Sequence, residues 1–200
     1  MESKDHYHHG ALRKALLTEA FRSLEAGGLE GLSLRGLAEA TGVSKTAPYR
    51  HFTDKRDLLV SLAAEGFGEL ADALEGALAQ ARQPTEPGDG MADIRALIRV
   101  YVDFARARPA LYRLMFSRLG YSLHSESCRR NSLRALDCLI RSVARAQEGG
   151  WRKDREQRGL VLSVWAAVHG WAGLLIDGLL PPELIGEGED WFKFAESVLT

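Results

Sequence analysis

Apolar residues recur along this chain at every third or fourth position, in blocks separated by glycine and proline. That spacing is the period of an α-helix with one face against a core. From His8 to Ala26, Leu12, Leu16, Ala20 and Leu24 form one stripe with Ala15 and Phe21, and Gly27 and Gly28 end it. A shorter block comes after Ser33, a candidate N-cap, with Leu34, Leu37 and Ala38 on one face. Gly42 stands where this second helix must stop, because it takes a left-handed conformation without steric cost. Val43 then points back to the core. Ser44 or Thr46 is expected to cap a third helix holding Tyr49, Arg50, His51 and Phe52. Pro48 has no N–H and is tolerable only in the first turn of that helix. Pro48 and Phe52, four apart, share its buried face, which leaves Lys45, Thr46, Tyr49 and Arg50 facing outward.

Thr53 is the expected cap of a long helix running from Asp54 to about Ala81. Leu58, Leu62, Phe67, Leu70, Leu74 and Leu78 keep its period. At about 1.5 Å per residue it extends roughly 40 Å, a strut between the head and the remainder of the chain. Gln83 to Gly90 reads as a loop. A helix from Met91 to Arg108 turns Ile94, Leu97, Ile98, Tyr101, Val102 and Ala105 inward, and Pro109 opens another at its favoured position. From Ser125 to Glu148 the pattern puts Leu133, Leu136, Leu139, Ile140 and Val143 inside. Arg130, Arg134, Arg141 and Arg145 fall on a different face, read as a solvated surface.

The segment from Asp154 to about Leu180 differs from the rest. Leu160 to Ile176 is seventeen residues without a formal charge, near the lower limit for a membrane span. Ser163, His169, Gly170 and Gly173 interrupt it and no second such segment exists, so we read it as a helix buried on all sides. Ala166, Gly170 and Gly173 make a small-residue strip, with Val161, Val164, Val168, Trp171 and Leu175 opposite. A small strip lets another helix approach closely, and a second copy of the chain is the expected partner. A short helix from Asp190 to Leu199 closes the chain. The fold class is all-α, with about nine helices.

Composition narrows the function. The 200 residues are 46% hydrophobic with net charge −1, so the chain can bury a core and carries no general polybasic attraction to nucleic acid. Any DNA contact must be local. Through Val60 there are 9 Lys/Arg and 8 Asp/Glu. Between residues 42 and 56, however, Lys45, Arg50, Lys55 and Arg56 face Asp54 alone, with His51 beside them. Helix, glycine turn and short helix is the helix-turn-helix pattern, whose second helix lies in the major groove with its first residues at base edges. A basic cluster beside a tyrosine hydroxyl suits phosphate oxygens.

Other chemistry finds less support. Cys128 and Cys138, ten apart on one expected helix, sit roughly 15 Å apart, too far for a disulfide. His6, His8 and His9 lie in a polar terminal arm, and no metal spacing exists. No H-E-x-x-H, G-x-S-x-G or Gly-rich phosphate loop is present, so neither an enzyme nor a cofactor is expected. The N-terminus is not a signal peptide, and a reducing cytoplasm is the expected location, without membrane attachment. The alternative reading is an all-α small-molecule-binding protein or enzyme that does not bind DNA.

The string GVSKTAPYRHFTDKRDLL, with the preceding YHHGALRKALLTEAFRSLEAGGLEGLSLRGLAEATGVS, resembles the DNA-binding signature of the TetR/AcrR family of bacterial transcription regulators. It departs at Pro48, where the family more often has leucine or isoleucine, a change expected to shorten the helix by one hydrogen bond. The resemblance implies that Tyr49, His51 and Lys55 contact phosphates. Lys45 and Thr46 are the candidates for base edges, with Arg35 and Ser44 close to the DNA backbone and Arg50 on the same outward face. RPALYRLMFS and VWAAVHGWAGLL resemble the C-terminal domain of a subgroup named for its tryptophan, histidine and glycine, here Trp165, His169 and Gly170. That likeness implies a bundle that binds a small apolar effector and forms a homodimer. Tyr101, Phe104, Tyr112, Met115, Phe116 and Trp165 are candidates to line its pocket, and His169 to anchor it. The domains expected are a DNA-binding head over residues 1–55 and a ligand-binding and dimerisation domain over 56–200. The expected function is a repressor released from a palindromic double-stranded operator when the effector binds.

Overall fold

The structure, a computed structural model, describes residues 3–81, 91–121, 125–181 and 183, with side chains from Gly10 onward. Among the described residues every regular element is helical: α1 (Ser3–Gly27), α2 (Leu34–Ala40), a 3-10 turn (Ala47–Arg50), α3 (Lys55–Ala81), α4 (Ala92–Ala107), α5 (Pro109–Met115), α6 (Glu126–Glu148) and α7 (Gln157–Ile176). That is seven α-helices and one 3-10 turn, against about nine helices expected. The loop expected over 83–90, the closing helix over 190–199 and the side chains of His6, His8 and His9 lie outside the described residues. The first helix begins at Ser3 and not at His8, so the residues read as a terminal arm are helical from that point.

Two compact units form. The first combines Met1–Gly66 with Ala110–Arg129; the second combines Phe67–Pro109 with Arg130–Thr200. In the first, Leu16, Ala20 and Leu24 of α1, Leu37 and Ala38 of α2, and Leu58 and Leu62 of α3 are buried, as their spacing predicts. Helix α5 is tied to α1 by one carboxylate. Glu25 accepts the backbone N–H of Ala110 at 3.2 Å and of Leu111 at 3.0 Å. These amides have no partner within a helix that starts at Pro109, so a charged acceptor supplied by α1 satisfies them. Gly66 lets α3 and α5 come close: a Cβ there would lie 2.8 Å from the Met115 sulfur.

In the second unit α4 packs on α7. Ile94, Ile98 and Val102 are buried on one helix, and Val161, Val164 and Val168 on the other. The arginines of α6 correct the expectation of a merely solvated row. Arg134 reaches Asp72 and Glu75 of α3, each at 2.8 Å, and Arg145 pairs with the buried Asp93 of α4 at 3.0 Å. Arg141 pairs with Asp137 on its own helix. Periodicity placed these side chains off the apolar stripe correctly. It could not show that acidic residues more than 50 positions away meet them.

A second correction concerns burial on α6 and α7. Leu133 and Ile140 are exposed at 50% and 38%, although the pattern placed them inside. On α7, Leu162, Trp165, Ala166, Gly170 and Leu174 are exposed, and Gly173 is half-buried. Among the described residues, only one side of this helix is covered, not all sides. By length and composition alone α7 could also cross a membrane.

Candidate nucleic-acid interface

Local hydrogen bonds set both ends of α2 and the start of α3 in the segment from Ser33 to Asp57. The Ser33 hydroxyl accepts the Gly36 N–H at 3.0 Å and caps α2. At the other end Gly42 has φ +69°, Val43 N–H donates to Ala38 O and Gly42 N–H to Glu39 O. This paired closure needs a left-handed residue, so glycine terminates α2 and re-aims the chain. The expected cap of the next element is not formed. Thr46 occupies the capping position without a side-chain bond to the backbone, and its hydroxyl lies 3.3 Å from that of Ser44. Nor does Thr53 cap the long helix. The Asp54 carboxylate takes the Asp57 N–H at 2.8 Å, while Asp57 reaches back to the Thr53 N–H at 2.9 Å and its hydroxyl at 3.2 Å. A carboxylate is the better acceptor at the positive end of a helix, which is why the site moves one residue on.

The element between them is a single 3-10 turn over Ala47–Arg50, shorter and tighter than the helix expected. Pro48 and Phe52 are buried on its inner side, as their spacing predicts. Arg35, Ser44, Lys45, Thr46, Tyr49, Arg50 and Lys55 are exposed, and His51 is half-buried. Tyr49, at 49% exposure, presents a large ring to solvent among cations. Lys55 also has a structural task, since its ammonium donates to Leu29 O at 2.6 Å and ties α3 to the turn before α2.

Sequence reading missed Arg13. Its guanidinium stands over the Phe52 ring, 5.5 Å from the centroid, and lies 3.4 Å from the Ser61 hydroxyl and 3.7 Å from Glu65. One side chain of α1 thereby braces the exit of the 3-10 turn against α3. The signal available was its spacing: Arg13 stands three, four and seven positions before the buried Leu16, Leu17 and Ala20, on the inward face of α1, and is itself half-buried.

The residues expected to line a pocket fall into two groups. Tyr112 and Met115 are buried on α5, with the Phe116 ring 5.0 Å from that of Tyr112, in the first unit. Tyr101 and Phe104 of α4, and Trp165 and His169 of α7, belong to the second. There the Tyr101 hydroxyl lies 2.9 Å from His169 Nδ1, and the two rings meet edge to face. Burial lowers the His169 pKa from its ordinary value of 6.5. The folded protein therefore keeps this ring neutral in a range where the unfolded chain already binds a proton. Stability from this source is unaffected well above the ordinary value, falls as pH drops through it, and levels off below the folded-state value. Thermal melts at about pH 7.5 and about pH 5.5 should show a smaller loss in His169→Gln than in the parent. Equal losses would refute the assignment.

Comparison with known proteins places both halves. Residues 16–62 match the bacterial regulatory proteins of the tetR family, and residues 94–195 match the tetracyclin repressor-like C-terminal domain. The apolar helix α7 falls within the second match. A solved protein with unknown function from Rhodococcus sp. RHA1 is 34% identical, with 96% of each chain covered and a TM-score of 0.80. An HTH-type transcriptional regulator of Mycobacterium tuberculosis is 30% identical over 95 residues, 48% of this chain and 39% of that protein. The HTH-type transcriptional repressor AcnR of Corynebacterium glutamicum is 39% identical over 62 residues, 31% of this chain and 33% of AcnR. The chain thus spans well under half the length of these two curated relatives, which are transcriptional regulators and not enzymes. Because the C-terminal match takes in 102 of the 200 residues and the N-terminal match holds the helix-turn-helix, the chain belongs to the TetR family of bacterial regulatory proteins, all-α regulators that bind DNA.

Proposed function

We propose that this protein is a cytoplasmic repressor that binds a palindromic double-stranded operator as a homodimer and leaves it when a small apolar molecule binds. The observation that carries the DNA part is the outward row of Lys45, Thr46, Tyr49 and Arg50 on an element anchored from beneath by Pro48 and Phe52. A rigid anchor with a cationic, hydrogen-bonding outer face can hold one register against phosphates while short side chains test base edges. Tyr49, His51 and Lys55 are assigned to phosphates, Lys45 and Thr46 to bases, and Arg35 and Ser44 to the DNA backbone nearby. The head is residues 1–55, and 56–200 form the effector and dimer domain.

The C-terminal domain is proposed to be of the tryptophan-histidine-glycine type, through Trp165, His169 and Gly170. Candidate effector contacts are assigned unit by unit: Tyr101, Phe104 and His169 in the second, and Tyr112, Met115 and Phe116 in the first. The open ring of Trp165 supports a place on the dimer face more than one beside the effector. The effector must prefer a dimer whose two reading elements are wrongly spaced for the operator, because a ligand shifts an equilibrium only by its difference in affinity for the two states.

The test is duplex binding by the purified chain across ionic strengths. Binding should weaken steeply with salt and favour palindromic over scrambled duplex. Tyr49→Ala should weaken binding to every sequence alike. Lys45→Ala should change the ranking at one base position, by about 1–3 kcal/mol. If both variants scale all affinities equally, the roles are misassigned. If the parent shows no palindromic preference at any salt, the repressor reading fails.

A further inference from the structure

We propose that Pro48 is a positioning residue that sets DNA sequence preference, by holding the reading element as a 3-10 turn and so choosing which side chains stand in one row. This rests on the DNA-binding reading above and deepens it. In an α-helix the Ser44 carbonyl would accept the N–H of residue 48. Proline has none, and Ser44 O instead accepts the Ala47 N–H at 2.9 Å, one residue earlier. At the far end a short bond and an α-type bond share one acceptor. The Pro48 carbonyl takes the His51 N–H at 2.9 Å and the Phe52 N–H at 3.0 Å, and the segment Ala47–Arg50 between is 3-10. Thr46, the residue before it, is already in right-handed helical backbone, with φ −93° and ψ −16°.

The order of the exposed side chains is then a matter of helix geometry. A 3-10 helix turns about 120° and rises about 2.0 Å per residue, so residues three apart eclipse one another. Thr46, whose backbone is already right-handed helical, and Tyr49 then share one row, about 6 Å apart along the axis. In an α-helix of the same sequence, at about 100° per residue, Thr46 and Tyr49 would instead stand about 60° apart. The same side chains are exposed in either case, but their order against a base ladder differs. Pro48 is buried and does not itself face the groove. It acts through the residues on either side.

The experiment uses the full chain with Pro48→Ala, which restores the amide donor, and Pro48→Leu, which restores it and keeps apolar bulk on the buried side. Each protein selects duplexes from a randomised palindromic library at one salt concentration, and relative affinities are then measured on the recovered half-sites. Circular dichroism checks that each variant is folded. The expected result is a changed preference at one or more half-site positions, at least about tenfold in relative affinity, while affinity for a random duplex moves by less than that. An unchanged ranking in a folded variant overturns the role of Pro48 and leaves the DNA-binding reading intact. If both variants lose the folded state, Pro48 is a packing residue and the proposal fails. A parent protein with no sequence preference removes the DNA-binding reading itself, and this proposal with it.

Discussion

Phe52→Ala should destabilise the protein by about 3–5 kcal/mol and abolish selective duplex binding. Phe52 is 1% exposed and closes the segment just beyond the reading turn. Its N–H is held by Pro48 O, and its ring lies under the Arg13 guanidinium. Truncation would leave a cavity beneath the 3-10 turn and remove the face on which Arg13 stacks. That loss combines transfer of an aromatic ring out of water with a void that rigid helix ends cannot close. Urea unfolding followed by circular dichroism measures the cost, and a filter-binding titration measures the second effect. A shift below about 1 kcal/mol would mean that the ring does not anchor the turn, since surface changes stay within that range.

Leu162→Glu combined with Trp165→Glu should turn a dimer into a monomer while sparing the fold of the single chain. Both side chains are open in the isolated chain, at 51% and 38% exposure, so carboxylates there meet water and cost little. Buried against a second copy, they would be unpaired charges, at about 3 kcal/mol or more. That weakens association by more than about a hundredfold. Exposed Leu133 and Ile140 on α6 and Leu174 on α7 extend the apolar surface available to the partner. Sedimentation should show a dimer of the 22.0 kDa parent at micromolar concentration, a monomeric variant, and similar melting of the two at high dilution. A monomeric parent would refute the homodimer. Selective operator binding should weaken with the dimer, because two half-sites are then engaged one at a time.

These two predictions rest on different kinds of information. That Phe52 faces inward was legible in the sequence, because Pro48 and Phe52 are four apart and one helical face repeats at that interval. The openness of Leu162 and Trp165 was not legible. The run from Leu160 to Ile176 is apolar on every side, and periodicity cannot tell a helix covered on all sides from one awaiting a partner. The same limit explains Leu133 and Ile140, which keep the apolar period of α6 and yet face solvent in the single chain.

Local chemistry behaved similarly at the helix ends. Ser33 and Gly42 were readable as start and stop because each acts on backbone groups within five residues. The cap at α3 was misplaced by one position. Threonine and aspartate are both competent caps, and the choice fell to the carboxylate that reaches Asp57 N–H. The arginines of α6 were seen as a row, but their partners Asp72, Glu75 and Asp93 lie on other helices.

The order of the helices, the glycine bend at residue 42 and the cationic outer face of the turn beyond it are written in neighbouring residues. Periodicity, capping and the left-handed tolerance of glycine all operate over one or two turns of chain, so a local pattern carries them. It took the packed chain to bring Arg13 against the reading turn, to cap α5 with Glu25, and to leave one side of α6 and of α7 uncovered among the described residues. Those outcomes depend on the approach of helices distant along the chain, and no short-range pattern encodes which atoms meet there.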